Sequence, residues 1–366
     1  MTKIKVLVVD DSAFMRKLIS DFLSEHPELE VIGTARNGED AIKKWKALKP
    51  DVITLDVEMP VLNGLETLKA IMQEKPTPVV MLSSTTREGA DTTLHAIQAG
   101  AVDFITKPSG SISIDLHKIK ADLIEKVRSA SKANLSGIKT GTKKQPDFPG
   151  KPNAPFADPI PKGKGSIRYQ ATQQHGNTKK LICIGTSTGG PRALQQVLTL
   201  LPKDIDAPIL VVQHMPAGFT KSLANRLDSL SQITVKEAED GELIKKGVAY
   251  IAPGGLHLEV KEVGTSLAIS LGTSEPRNGH RPSVDVMFES ISKIRNIDKV
   301  AVIMTGMGSD GAKGLVQLKK SEAVKAIAES KNTSVVFGMP KSAIATHLVD
   351  EVADLENIAE SIMKYI

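Results

Sequence analysis

From the first residues on, short apolar runs alternate with stretches of helical periodicity. Residues 5–10 form one such run, and Met15, Leu18, Ile19 and Phe22 then share one face of a helix over 12–23. Residues 29–35 read as a strand, after which Ala41, Ile42, Trp45 and Leu48 recur at helical spacing. The alternation continues with a strand at 51–56, a helix carrying Leu65, Leu68 and Met72, and a strand at 78–83. A helix around Leu94 and Ile97, a strand at 101–107 and a helix with Leu116, Ile119 and Leu123 complete five βα units. Such units predict a parallel sheet covered by helices on both faces.

The pattern resumes at residues 180–185, a buried-strand run that leads through glycines into an apolar-periodic helix over 193–201. Strands follow at 208–213, at a hairpin beginning with His257, and at 299–305. Between the two halves the periodicity is lost. Residues 131–180 hold ten Lys/Arg against two Asp, with six Pro and six Gly, the composition of a linker. The expected boundaries are a first domain at 1–129, a linker at 130–178 and a second domain at 179–366. A flexible tether of about 50 residues spans roughly 35–42 Å and imposes no mutual orientation, so regulated contact between the domains requires direct docking.

The charge changes the picture little. The net +5 of the 366 residues contains +8 from the linker stretch, which leaves the rest near −3. A nucleic-acid partner is therefore not expected, and aromatics at 3% are too few for a stacking platform. No apolar run approaches 18 residues, the start is too short for a secretory segment, and the single Cys183 excludes an intrachain disulfide. The expectation is a cytoplasmic protein without membrane insertion.

In the first half the chemistry gathers at strand ends, where parallel sheets place their sites. Asp10 and Asp11 end the first strand, Asp56 the third, Ser83 the fourth and Lys107 the fifth. Converging carboxylates repel one another unless a hard cation sits among them, and a small oxygen site suits Mg²⁺. With a hydroxyl and an ammonium beside it, the set reads as phosphoryl-transfer chemistry.

Val8-Val9-Asp10-Asp11-Ser12, Thr54-Leu55-Asp56-Val57-Glu58-Met59-Pro60 and Phe104-Ile105-Thr106-Lys107-Pro108 resemble the receiver domain of bacterial response regulators. The resemblance implies a flavodoxin-like (βα)5 fold in which Asp56 takes a phosphoryl group from a sensor histidine kinase. It places Mg²⁺ on Asp11, Asp56 and the carbonyl of Glu58, with Asp10 acting through water. Lys107 and Ser83 would engage the phosphoryl oxygens, Phe104 would occupy the switch position, and Lys107–Pro108 is a candidate cis peptide.

In the second half Gly185-Thr186-Ser187-Thr188-Gly189 fits the G-x-S-x-G elbow between strand and helix. A phosphate cradle and a plain tight turn are the competing readings, although the P-loop lysine is absent. A serine nucleophile needs a base. His26 precedes Pro27, His95, His117 and His347 fall in helical patterns, and His175 lies in the linker. His214, at the end of the next strand, is placed best; His257 opens a hairpin and His280 precedes Arg281-Pro282 at the start of a helix. An acid must fix the base, and Asp310, in the loop after the strand at 299–305, reaches the same sheet edge. Asp285 and Asp240 are weaker candidates, and buried Cys183 reads as a core residue.

Together with Gln213-His214-Met215-Pro216, Tyr250-Ile251-Ala252-Pro253-Gly254-Gly255, His280-Arg281-Pro282-Ser283-Val284-Asp285 and Met304-Thr305-Gly306-Met307-Gly308-Ser309-Asp310-Gly311, the elbow resembles the catalytic domain of chemotaxis-specific protein-glutamate methylesterases. This implies a doubly wound parallel-sheet α/β hydrolase domain with an antiparallel hairpin and no cofactor for the esterase reaction. It also implies a Ser187–His214–Asp310 triad and an oxyanion-hole N–H at Met307, with Thr188 beside the nucleophile. The implied substrates are methyl-accepting chemoreceptors, demethylated and also deamidated, with the unphosphorylated receiver covering the cleft. Thr186 stands where Ala is common, and Ile327-Ala328-Glu329-Ser330-Lys331 departs from the frequent Ile-Ala-Gln-Asp-Glu. The rival class is a response regulator whose second half only binds DNA or protein; it leaves the Ser/His/Asp set unexplained.

Overall fold

A computed structural model describes residues 2–84, 86–107, 114–136, 179–321 and 323–366. In its first half β1 (Ile4–Val9), α1 (Ala13–Ser24), β2 (Leu29–Ala35), α2 (Gly38–Leu48), β3 (Val52–Asp56) and α3 (Gly64–Glu74) alternate as the periodicity requires. They are followed by β4 (Val79–Ser83), α4 (Arg87–Gln98), β5 (Asp103–Thr106) and α5 (Ile114–Ala130). The strands lie in the order β2-β1-β3-β4-β5, all parallel. Their alternate residues explain the unbroken apolar runs. Val6 and Val8 pack with Ile19, Leu23 and Leu123 on one face, while Leu7 and Val9 pack with Trp45, Leu68 and Ile71 on the other. Ser12 caps α1 and Asn63 forms a capping box with Glu66 at α3, fixing where each helix leaves the site edge.

The second half builds β6 (Lys179–Thr186), α6 (Gly190–Leu198), β7 (Ile209–Gln213), α7 (Phe219–Leu230), β8 (Thr234–Glu237), β9 (Val248–Ile251), β10 (His257–Val263) and β11 (Ser266–Gly272). It continues through α8 (Val284–Ser292), β12 (Ile297–Ile303), α9 (Ala312–Leu318), β13 (Val324–Glu329), α10 (Met339–Ile344) and β14 (Glu351–Ala353). A 3-10 turn (Leu355–Asn357) and α11 (Ile358–Met363) close it. The sheet runs β14-β13-β12-β6-β7-β9-β8, all parallel, and β10 and β11 form the expected antiparallel hairpin. β6 is flanked by β12 on one side and β7 on the other, so the chain reverses its winding there and opens a crevice at the carboxyl ends.

Three sequence expectations shift. The helix after the glycines begins at Gly190, because Pro191 fits its first turn. The strand expected at 299–305 is Ile297–Ile303. His347 is not helical: it follows α10 in the left-handed region, at φ 59°. The Lys107–Pro108 peptide lies outside the described residues.

The domains dock directly. α4 packs against α6 and α7, where Gln98 donates to Gln195 at 2.9 Å and Arg226 to Gln98 at 3.4 Å. Phe104 of β5 stacks on Phe219 of α7. Residues 131–136, the first of the expected linker, run along the second domain: Asn134 donates its N–H to Val335 O at 2.9 Å and its amide to Asn332 O at 2.7 Å. The remainder of that linker lies outside the described residues. Among the described residues no helix is long and apolar enough to cross a membrane.

Candidate active site and phosphoacceptor pocket

The crevice beside β6 collects the three residues chosen from sequence. Ser187 follows β6 on a turn whose Gly189 adopts φ 78°, a conformation that disfavours side chains, before α6 begins. Its N–H donates to Thr305 O at 3.0 Å, and its carbonyl accepts from Gly190 N–H at 2.7 Å and Gln213 Nε2 at 3.0 Å. His214 follows the neighbouring β7, with its N–H on Thr186 O at 3.1 Å. Gln213 ties the two strand ends together, because its Nε2 also donates to His214 O and its Oε1 accepts from Thr186 Oγ1 at 2.7 Å. Thr186, which stands where Ala is common, is thus absorbed into the scaffold.

Asp310 follows β12 and meets His214 Nε2 at 2.8 Å. The carboxylate also accepts from Ser283 Oγ at 2.8 Å, Val284 N–H at 2.6 Å, Asp285 N–H at 3.2 Å and Asn278 Nδ2 at 3.1 Å. Burial alone would raise its pKa, but the His214 contact, then Ser283 and the Val284 N–H, hold it well below the usual carboxylate range. An ionised acid on Nε2 makes that nitrogen the donor, and Nδ1, buried without a hydrogen-bond partner, is the remaining ring nitrogen. No hydrogen bond joins Ser187 to His214 among the described residues.

The other candidates separate cleanly. Asp285 serves the backbone of the acid's loop, accepting from Gly311 N–H at 2.9 Å and Gly314 N–H at 2.6 Å. Asp240 accepts from Leu271 N–H at 2.8 Å, and His257 is buried with Nε2 on Glu275 O at 3.1 Å, both outside the site. Cys183 is buried inside β6, and burial pushes its thiol far above the usual range. His280, one of the three histidines left as possible bases, does reach the site, but as a neighbour of His214. It stacks on His214 with ring centroids 3.9 Å apart, and burial followed by the charge of His214 lowers its pKa to about 3. A ring that stays neutral adds no repulsion when His214 becomes an imidazolium.

Gly306 brings the oxyanion candidates close. A Cβ there would lie 2.8 Å from the Ser187 Cβ, so only glycine lets the 306–308 loop approach the nucleophile. Among the described residues neither the Thr188 nor the Met307 N–H donates to a protein acceptor. The Thr188 hydroxyl donates across the domain interface to Asp103 of β5. Asp103 is held in turn by Lys126 of α5, 3.5 Å away, whose Nζ also donates to Phe104 O at 2.6 Å.

The candidate phosphoacceptor pocket forms at the carboxyl edge of the first sheet. Carboxylate oxygens of Asp10, Asp11 and Asp56 lie within 4.8 Å of one another. Lys107 Nζ bridges Asp10 at 2.9 Å and Asp56 at 2.7 Å. Burial, partly offset by Lys107, raises the Asp56 pKa to about 6. Three hard oxygen donors at this spacing fit a divalent ion such as Mg²⁺. Glu58 donates its N–H to Asp56 Oδ1 at 3.3 Å. Ser83 is turned into α4, accepting from Thr93 Oγ1 at 2.7 Å and lying 3.2 Å from Gly89 O. Phe104 is only 2% exposed, covered by Phe219.

What sequence reading gave no role are the residues that hold the candidate triad: Asn278, Ser283, Gln213 and Thr305. The quoted motifs include all of them but Asn278, and most of the contacts that matter join residues far apart along the chain.

Residues 6–117 match the response regulator receiver domain family, and residues 182–362 match the CheB methylesterase family. The chain is 61% identical to the protein-glutamate methylesterase/protein-glutamine glutaminase of Halalkalibacterium halodurans, over 99% of this chain and 98% of that one. It is 51% identical to the protein of the same name from Bacillus subtilis, over 98% and 97%. The crystal structure of the Thermotoga maritima CheB methylesterase catalytic domain matches with a TM-score of 0.50 and 48% identity, covering 52% of this chain and all of that one. A receiver fold, a methylesterase fold and full-length relatives sharing both in the same order agree: the chain belongs to the protein-glutamate methylesterase/protein-glutamine glutaminase family of response regulators.

Proposed function

We propose that this protein hydrolyses γ-glutamyl methyl esters, and deamidates glutamines, on methyl-accepting chemoreceptors in the cytoplasm, under control of phosphorylation at Asp56. The observation that carries the reading is the His214–Asp310 pair at 2.8 Å, placed on the strand end beside Ser187. With Nε2 committed to Asp310, His214 takes the Ser187 proton at Nδ1. Ser187 Oγ attacks the ester carbonyl, and the oxyanion meets the N–H groups of Met307 and Thr188, each donor of this kind commonly giving about 10²–10³ in rate. The imidazolium gives its proton to the departing methoxide oxygen, or to the departing amide nitrogen of a glutamine, so that methanol or ammonia leaves and the acyl-serine remains. Water, activated by His214, then attacks the acyl-serine and releases glutamate.

In the receiver, the Asp56 carboxylate attacks the phosphohistidine of a sensor kinase. Asp11, Asp56 and the Glu58 carbonyl would hold Mg²⁺, which offsets the charge of the carboxylates and phosphoryl oxygens. Lys107 pairs with the phosphoryl group, and Ser83 turns toward it from α4. The receiver restrains the esterase through two contacts: Thr188, next to the nucleophile, bonds to Asp103, and Phe104 stacks on Phe219. Phosphorylation loosens this docking.

The test is methanol release from methylated chemoreceptor membranes, with and without a small phosphodonor. Stimulated release by the wild type and none by Ser187→Ala supports the reading. Equal release by Ser187→Ala returns the second domain to a binding role.

A further inference from the structure

Glu329 ends β13 and is 0% exposed, in the segment where the sequence departs from its family's frequent pattern. Its place follows from the sheet. Beyond its last paired residues, β12 sends the Met304 N–H to Gly185 O on the β6 side at 3.0 Å. The next N–H, that of Thr305, points to the β13 side and is taken at 2.7 Å by the Glu329 carboxylate instead of a ladder carbonyl. Thr333 Oγ1 donates to the same carboxylate at 3.1 Å.

Thr305 is the junction of the active site. Its carbonyl accepts the Ser187 N–H at 3.0 Å, while its hydroxyl donates to Thr188 O at 2.9 Å and accepts from Val336 N–H at 3.0 Å. The adjoining Gly306 donates to Val336 O at 3.0 Å and abuts the Ser187 Cβ. Any shift of Thr305 therefore moves the nucleophile and the Met307 loop together.

We propose that Glu329 is a positioning residue of the esterase: its ionised carboxylate pins Thr305 and so holds Ser187 and the Met307 N–H in register for acyl transfer. The inference rests on the Ser187 reading above. Ionisation matters because a charged acceptor bonds roughly twice as strongly as a neutral one. Burial raises the Glu329 pKa to about 7, against the bonds from Thr305 and Thr333. The charged groups facing it are Asp354 and Glu356, beyond β14, which raise it further. Arg192 of α6 shares its cavity of about 540 Å³.

The experiment measures kcat and KM for methanol release against pH, at saturating phosphodonor, for wild type, Glu329→Gln, Glu329→Ala and Ser187→Ala. Glu329→Ala is expected to lower kcat roughly 10- to 100-fold with KM within about twofold, the signature of a misplaced reacting group. Glu329→Gln keeps a neutral acceptor and recovers part of that loss. Because the charge pins Thr305, kcat of Glu329→Gln lies below wild type at high pH, and the two converge as pH falls through about 7, where the Glu329 carboxylate takes up a proton and becomes a neutral acceptor like the amide. Wild-type kcat in Glu329→Ala, or a ratio of Glu329→Gln to wild-type kcat that does not change with pH, overturns the proposal; if the Ala variant does not fold, that ratio decides. A fully active Ser187→Ala instead overturns the triad on which the proposal rests.

Discussion

The rings of Phe104 and Phe219 stack with centroids 4.5 Å apart and planes 24° apart, so the residue three positions before the receiver lysine is held against the esterase. Lys126 Nζ lies over the Phe104 ring, 5.3 Å from its centroid. The residue expected at the receiver's switch position is thereby packed against the other domain. A stacked pair contributes about 0.5–1.5 kcal/mol beyond its buried area. Phe104→Ala is expected to raise unstimulated methanol release roughly three- to tenfold, since about 1.4 kcal/mol is a tenfold shift in the closed-to-open ratio. An unstimulated rate equal to wild type would show that other contacts set the docking.

Asp310→Asn tests the acid. The amide replaces a carboxylate that accepts from His214, Ser283 and three further donors, and its NH2 would face the Val284 N–H or another of them. Loss of the tautomer should cost about 10⁴ in kcat. Thermal unfolding should also fall, unlike in Ser187→Ala. A loss below tenfold would remove Asp310 from the triad.

Chelation of divalent ions separates the two sites. With the phosphoacceptor carboxylates converging within 4.8 Å, removal of Mg²⁺ should abolish phosphodonor stimulation and leave the unstimulated rate in place. Asp56→Asn should behave as the chelated wild type does. Full stimulation of either would require a different phosphoacceptor.

Glu329 also predicts a stability profile. Its folded pKa of about 7 lies above the ordinary carboxyl value of 4.5, so between these values the folded chain keeps a proton that the unfolded chain has lost. Stability from this group is present below pH 4.5, declines as pH rises through 7 and is absent above. Glu329→Gln removes the loss, so its melting temperature should match wild type near pH 4 and exceed it by a few degrees at pH 8, on the order of 2–4 °C per kcal/mol. An equal difference at both pH values would refute the raised pKa.

Much of this was legible without coordinates. Apolar runs and helical spacing placed the first sheet and the central strands β6, β7 and β12 of the second within a few residues, because a strand buried on both faces must be apolar throughout, whereas the short outer strands β8 and β14 carry too little pattern. The strand-end rule then brought Asp10, Asp56 and Lys107 to one edge, and Ser187, His214 and Asp310 to another. Boundaries moved where local chemistry competes with periodicity, as at Pro191 and His347.

The sequence by itself determined the two folds and the residue types at their edges, since periodicity and strand-end placement act over short stretches of chain. Only the tertiary structure decided which nitrogen of His214 Asp310 holds, that His280 stacks behind it, and that Glu329 braces Thr305. It also decided that Asp103 and Phe104 meet Thr188 and Phe219. These are pairings between residues distant along the chain, and hydrogen bonds and ring contacts depend on distances of a few ångströms that no local pattern encodes.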